Sequence, residues 1–311
     1  MRILVTGGAG FIGRWVCKLL IEKGHNVTIL DNLSNGSLEN IEEFKDKLDS
    51  FIKGDIKDKL LINNIMKKKF DICFHLAACI NVQESIDTPA VTFENDIIGT
   101  FNVLEGARKS NTKFVFMSTC MVYNRAFDET GITEKHPTKP ASPYSACKLS
   151  GEELVISYYH AYKLPTVVLR PFNTYGPFQK SSGEGGVVRI FIKKDLAGEY
   201  LNIYGDGAQT RDLLYVEDCA KFVIAAGESN KCNGLILNAG SGRDININDL
   251  AYLICKDKSR IKNIPHIHPQ SEIAKLLCNN KKAMDILGWA PEVSLEEGIA
   301  KTREFIGIAQ R

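Results

Sequence analysis

Apolar positions follow two rhythms along this chain. Arg2–Thr6 is a short apolar run, the pattern of a strand covered on both faces of a parallel sheet. A glycine-rich turn follows, and then Trp15, Val16, Leu19 and Leu20 recur at helical spacing. Gly24 ends that helix, and residues 26–30 predict a second apolar strand that stops at Asp31. Further strands are predicted at 51–56, 71–78, 114–118 and 166–170, with helix-like stretches between them. Strand and helix in strict alternation predict a doubly wound parallel α/β sheet. Past Asn173 the rhythm breaks: Gly183, Gly185 and Gly186 interrupt a polar stretch, which reads as a loop-rich lid. The last seventy residues mix short elements and end on a helix over 295–308. The expected organisation is a nucleotide-binding unit over 1–172, joined by elements from 207–236, and a smaller α+β substrate domain over 173–311.

Composition narrows the class. At 311 residues, 44% hydrophobic and 24% charged, the chain is a globular one, sized for one large α/β domain or two joined ones. A net charge of +2 gives no reason to invoke nucleic acid, and the basic run Lys67, Lys68 and Lys69 reads as the exposed end of a helix. No apolar stretch is long enough to span a bilayer, and no signal peptide is expected before the first strand. Nine cysteines without a Cys-x-x-Cys pair fit neither a metal site nor a disulfide framework, so a cytoplasmic protein without metal, its thiols reduced, is expected.

The candidate chemistry lies in two places. Gly7, Gly8, Gly10 and Gly13 join a strand to a helix, where backbone N–H groups can approach a pyrophosphate. Asp31, at the end of the second strand, suits the adenosine ribose hydroxyls and would repel a 2′-phosphate, so NAD is expected rather than NADP. Asp55 and Ile56 could meet the adenine, and Leu76, Ala77 and Ala78 are small enough to let a dinucleotide approach. His75 reads as a satisfied buried histidine. The second place is Tyr144 and Lys148, four apart and so on one helix face. A phenol beside an ammonium is expected to have a lowered pKa, suited to proton transfer near neutral pH.

These segments carry a resemblance over essentially the whole length. Thr6-Gly7-Gly8-Ala9-Gly10-Phe11-Ile12-Gly13, His75-Leu76-Ala77-Ala78, Ser118-Thr119, Tyr144-x-x-x-Lys148, Arg170-Pro171-Phe172-Asn173 and Gln209-Thr210-Arg211-Asp212 are similar to the extended short-chain dehydrogenase/reductase family, the nucleotide-sugar epimerases and dehydratases in particular. The resemblance implies a Rossmann-type fold and a catalytic set of Thr119, Tyr144 and Lys148. It implies cofactor contacts from Gly7, Gly10, Phe11, Ile12, Gly13, Asp31, Asn32, Asp55, Ile56, Leu76, Ala77, Ala78 and Lys148. Substrate contacts would come from Thr119, Tyr144, Asn173, Arg211 and Glu272, with Arg211 aimed at phosphate rather than paired with Asp212. A homodimer through helices near 92–109 and 145–162 is implied as well.

The chain also departs from the family pattern. The related dehydratases carry Asp-Glu after the catalytic Thr; here Cys120 and Met121 stand there, and neither can act as a carboxylate acid or base. That favours an NAD-dependent epimerase acting at C4 of a UDP-hexose. A 4,6- or 5,6-dehydratase, a 4-keto-sugar reductase and a non-catalytic NAD-binding regulator are the alternatives. Asp96 occupies a position where the family commonly has Asn. His268 is the candidate to replace a missing phosphate-binding Arg, and Leu276 is expected at the position that gates sugar size.

Overall fold

The computed structural model describes residues 1–180, 186–266 and 272–309; the expected lid glycines Gly183 and Gly185, and His268, lie outside them. Strands and helices alternate from the start as β1 (Arg2–Thr6), α1 (Phe11–Glu22), β2 (Asn26–Asp31), β3 (Ser50–Lys53), α2 (Lys59–Met66) and β4 (Ile72–His75). Then come α3 (Val82–Asp87), α4 (Pro89–Phe93), α5 (Thr100–Ser110), β5 (Lys113–Met117), α6 (Pro143–Tyr162) and β6 (Thr166–Pro171). The rest of the chain forms β7 (Asn173–Tyr175), α7 (Val187–Leu196), β8 (Leu201–Tyr204), β9 (Thr210–Tyr215), α8 (Val216–Glu228), β10 (Leu235–Ala239) and β11 (Asp244–Asn246). It closes with α9 (Ile247–Ile254), β12 (Ile261–Ile264), β13 (Lys275–Leu276), α10 (Lys281–Leu287) and α11 (Leu295–Ala309).

Seven strands form one sheet in the order β10-β6-β5-β4-β1-β2-β3, every pair parallel. The continuous apolar runs are explained by burial on both faces. Ile3 and Val5 of β1 face α1 and α8 through Val16, Leu20, Phe222 and Val223, whereas Leu4 joins α2, α5 and α6 through Ile62, Leu104 and Val155. The strand order reverses between β1 and β4, so a crevice opens at the carboxyl ends of the strands there. The chain leaves this sheet at β7 but returns to it at β10. A smaller lobe forms around β9, which pairs with β7, β11 and β13, and its core is packed by Phe191, Ile192, Leu250, Ile254 and Ile299 of α7, α9 and α11. The Lys67–Lys69 run is exposed at the carboxyl end of α2, where positive charge suits the helix dipole. Among the described residues no helix is long and apolar enough to cross a membrane.

The helix α6 is placed with unusual definition. Ser142 caps it by accepting from the Ser145 N–H at 3.2 Å, the Ser145 hydroxyl accepts from the Ser142 N–H at 3.1 Å, and Pro143 fills the first turn. One turn beyond Lys148, Glu152 accepts from Arg170 of β6, with Nε at 2.9 Å and Nη2 closer still, and from the Ser118 hydroxyl. Both members of the pair are buried, and the Arg170 guanidinium lies 4.5 Å above the Tyr123 ring. The Tyr123 hydroxyl in turn donates to Asn238 at 2.8 Å. Removing one partner of a buried ion pair leaves the other charge uncompensated, so Glu152→Ala is expected to cost about 3–5 kcal/mol. Chemical denaturation checks this; a loss no larger than that of an exposed pair such as Lys281–Asp285 would contradict it.

Candidate active site

The reversal of strand order places the predicted residues around one cavity of about 990 Å³. Its floor on one side is the turn after β1. Gly7 has φ of +73° and a Cβ there would stand 2.7 Å from the Ala77 nitrogen, while a Cβ on Gly13 would come within 2.1 Å of the Gly7 carbonyl oxygen. Only glycine allows the turn and the helix start to lie this close, and the first turn of α1 lines the cavity. Asp31 sits at the end of β2, buried, with one oxygen accepting from the Ala9 N–H at 3.0 Å and the other from the Leu33 N–H at 2.8 Å. Burial pushes its carboxyl up and these two N–H groups pull it down.

Gly10, Phe11, Ile12, Asn32, Ile56, Leu76, Ala77 and Ala78 all line the same cavity. Asp55 does not. It lies behind Asn32, whose amide donates to it at 3.2 Å, and it also accepts from the Lys57 N–H. His75 is held on both nitrogens, by Thr6 at 2.8 Å and Thr100 at 2.9 Å, and burial lowers its pKa to about 3. It is a neutral cross-link between β1, β4 and α5, as the sequence suggested.

On the other side stand Thr119, Tyr144 and Lys148, all three buried at the cavity wall. The Lys148 ammonium donates to the Met117 carbonyl at 2.8 Å and lies 5.1 Å from the centre of the Phe116 ring. Burial lowers its pKa, opposed by the charges of Asp96 and Glu152. The expected lowering of the Tyr144 pKa by Lys148 is not what the chain provides. Burial raises the phenol, Asp96 adds to that, and Thr119 acts in the opposite direction. The physical reason is desolvation: at this largely buried wall the phenolate would lose hydration that the neutral hydroxyl needs less.

The smaller lobe builds the remaining wall of the cavity. Asn173 lines the cavity, and its Oδ1 is buried with no hydrogen-bond partner among the described residues. Arg211 is pinned by the Thr210 and Ile273 carbonyls at 2.7 and 2.8 Å, and it pairs with Glu272. Burial lowers the Arg211 pKa to about 10. Asp212, the alternative partner, points elsewhere: it accepts from the Ser241, Gly242 and Cys278 N–H groups and ties down the loop after β10. His266, which the sequence reading passed over, also lines the cavity and meets Glu272 at 2.8 Å. Lys194 and Gln179 do so as well, and no motif marked them. Leu276 corrects an expectation: it is fully buried against Phe172 and Val122 and does not reach the cavity, where Ile273 stands instead.

Residues 4–302 match the family model described as GDP-mannose 4,6 dehydratase. The chain belongs to this extended short-chain dehydrogenase/reductase family. Within it, the chain is 38% identical to a UDP-glucose 4-epimerase of Mycolicibacterium smegmatis, over 98% of both chains. Among solved structures of the family, Pal from Bacillus thuringiensis is 61% identical, with a TM-score of 0.98 over 99% of this chain and 100% of that one. The UDP-glucose 4-epimerase of Thermotoga maritima, determined with UDP-glucose, is 35% identical with a TM-score of 0.93 over the full length of both.

Against the family pattern, the residues after Thr119 are decisive for acid–base capacity. Cys120 is 2% exposed, and burial pushes its thiol up to about 12. A thiol so protonated neither takes nor gives a proton readily at neutral pH. Cys79 is the least buried of the nine cysteines. A thiol reagent at mildly alkaline pH is therefore expected to label Cys79 first and leave Cys120 unmodified in the native protein. Peptide mapping by mass spectrometry checks this, and comparable labelling of both would contradict it.

Proposed function

We propose that the protein is an NAD-dependent nucleotide-sugar epimerase that acts at C4 of a UDP-hexose through a transient 4-keto sugar. The observation that carries this reading is a wall on which Thr119, Tyr144 and Lys148 meet while Cys120 and Met121, not carboxylates, follow the threonine. Elimination of water needs an acid and a base beside C5 and C6; epimerisation needs only the set that is present.

The cavity suits the cofactor. The Gly7–Gly13 turn leaves room for a pyrophosphate against backbone, Asp31 retains lone pairs for the ribose hydroxyls, and its carboxylate opposes a 2′-phosphate. When bound, NAD supplies the hydride acceptor. Lys148 would hold the nicotinamide ribose, and Thr119 would hydrogen-bond the sugar C4 oxygen. Tyr144 takes the proton of the C4 hydroxyl as hydride leaves C4, and returns it when hydride re-enters on the other face after the keto sugar turns. Such a positioned acid/base supplies roughly 10²–10⁴ in rate. Asn173 and the Arg211 fork suit the diphosphate and Glu272 the ribose, where the Arg211–Glu272 pair would open to share its groups with the substrate. A volume of about 990 Å³ stands at the upper end for small-molecule sites, as two ligands require. The relatives named for UDP-glucose support UDP as the nucleotide.

Two further features belong to this reading. All nine cysteines are free, which supports a reducing, cytoplasmic setting. Phe93, Ile98 and Phe101 are 52, 42 and 39% exposed along the helical stretch from α4 to α5, which supports pairing of two chains through that face. Light scattering is expected to give a dimer, and Phe93→Lys with Phe101→Lys a monomer; a monomeric parent would remove this element.

Incubation with UDP-hexoses, followed by NMR and mass spectrometry, tests the function. Interconversion of C4 epimers without change of mass or release of NADH is expected. A product lighter by one water, or net consumption of reduced cofactor, would replace the reading with dehydration or reduction. Tyr144→Phe is expected to lower turnover by roughly 10²–10⁴ with little loss of NAD binding; unchanged turnover would remove Tyr144 from the chemistry.

A further inference from the structure

A carboxylate on the cavity wall is shared between two side chains, and one of the two has no part in the mechanism above. Glu272 stands just before β13. Its Oε1 accepts from Arg211 of β9, and its Oε2 meets Nε2 of His266 at 2.8 Å. A carboxylate only accepts, so the His266 Nε2 carries the hydrogen and donates it. All three side chains are partly buried and line the same cavity.

The three differ in how they are held. Arg211 spends Nη1 on the Thr210 and Ile273 carbonyls at 2.7 and 2.8 Å, which fixes the plane of the guanidinium, and Nη2 goes to Glu272. His266 follows β12, whose pairing with β8 sets Ile264 beside Tyr204. The His266 and Tyr204 ring centres are 5.9 Å apart. Strands therefore seat both partners of Glu272. A diphosphate that takes the Arg211 Nη2 leaves the Glu272 Oε1 without its donor and brings like charges together. A partly buried carboxylate in that position needs another hold.

We propose that His266 is a positioning residue for nucleotide binding: it holds Glu272 through Oε2 while Arg211 passes from Glu272 to the diphosphate, so that Oε1 is left to accept from a ribose hydroxyl. This rests on the nucleotide-sugar reading of the cavity. The exchange leaves the carboxylate hydrogen-bonded at each stage and keeps it from following Arg211 toward the phosphates. Without that second hold, the ligand would compete for Arg211 with a carboxylate that His266 no longer restrains.

Dissociation constants are measured on the NAD-loaded protein for UDP-glucose by calorimetry and for uridine by ligand-observed NMR. Uridine has the ribose but no phosphate, so it draws nothing from Arg211. His266→Ala is expected to weaken UDP-glucose binding about tenfold, the size of one charge-assisted hydrogen bond, and uridine binding less than about twofold. His266→Gln, whose amide can stand where the Nε2–H stands, is expected to restore UDP-glucose binding, and the shorter His266→Asn is not. With Glu272→Gln in place, His266→Ala is expected to add little. Unchanged UDP-glucose affinity in His266→Ala, or equal weakening of both ligands as a merely structural role gives, would overturn the proposal. Where His266→Ala does not fold, the Gln and Asn variants decide the question, and equal UDP-glucose affinity of the two overturns it. A parent protein that binds neither ligand removes the nucleotide-sugar reading and this proposal with it; where the parent binds UDP-glucose, only the proposal is at stake.

Discussion

The buried pair of Glu152 and Arg170 is the constraint on which the site depends. It fastens the middle of α6 to β6, and through Ser118 to the end of β5, so that three elements meet at fixed distance. Tyr144 and Lys148 lie on the two turns before Glu152, and Thr119 lies one residue beyond Ser118. The three side chains proposed for the chemistry thus hang from a single charged knot. A buried ion pair is weak evidence of stability against an apolar replacement. Its value here is angular: an apolar contact would let α6 slide along the sheet, whereas a forked guanidinium on a carboxylate does not.

A second constraint is the crowding at the start of the chain. The contact of Gly13 with the Gly7 carbonyl and of Gly7 with Ala77 draws α1, β1 and the end of β4 together. The wall of the cavity at the glycine turn is therefore set by close backbone packing. The wall on the smaller lobe differs in kind. Arg211, Glu272 and His266 are long polar side chains from separate segments that satisfy each other. One wall of the cleft is rigid by exclusion of atoms, and the other is held by exchangeable charges.

What could be read in the sequence follows from how local each signal is. Strand β1, the glycine turn and Asp31 lie within a span whose order alone states their use, and the structure has the sheet they imply. Tyr144 and Lys148 share a helix face by spacing, so their proximity was legible too. The phenol's proton affinity was not, because it depends on burial, which spacing along one helix does not report. Leu276 was assigned to the cavity by counting along a segment, whereas its burial in the cluster with Phe172 and Val122 depends on packing between distant segments, which counting does not show. His266 carried no motif; it becomes visible only once β12 and β8 have placed it beside Glu272.

The return of the chain to the large sheet at β10 has a mechanical consequence. The polypeptide crosses between the two lobes after β6, where β9 runs straight into α8, after β10, between β13 and α10, and again between α10 and α11. Five covalent crossings do not share one axis, so the lobes lack the free swing that a single linker would give. Access to the cleft must then come from local yielding of loops and side chains rather than from the opening of a clamshell. A cofactor that enters such a cleft has a slow way out, which suits a reaction whose second half returns what the first half borrowed.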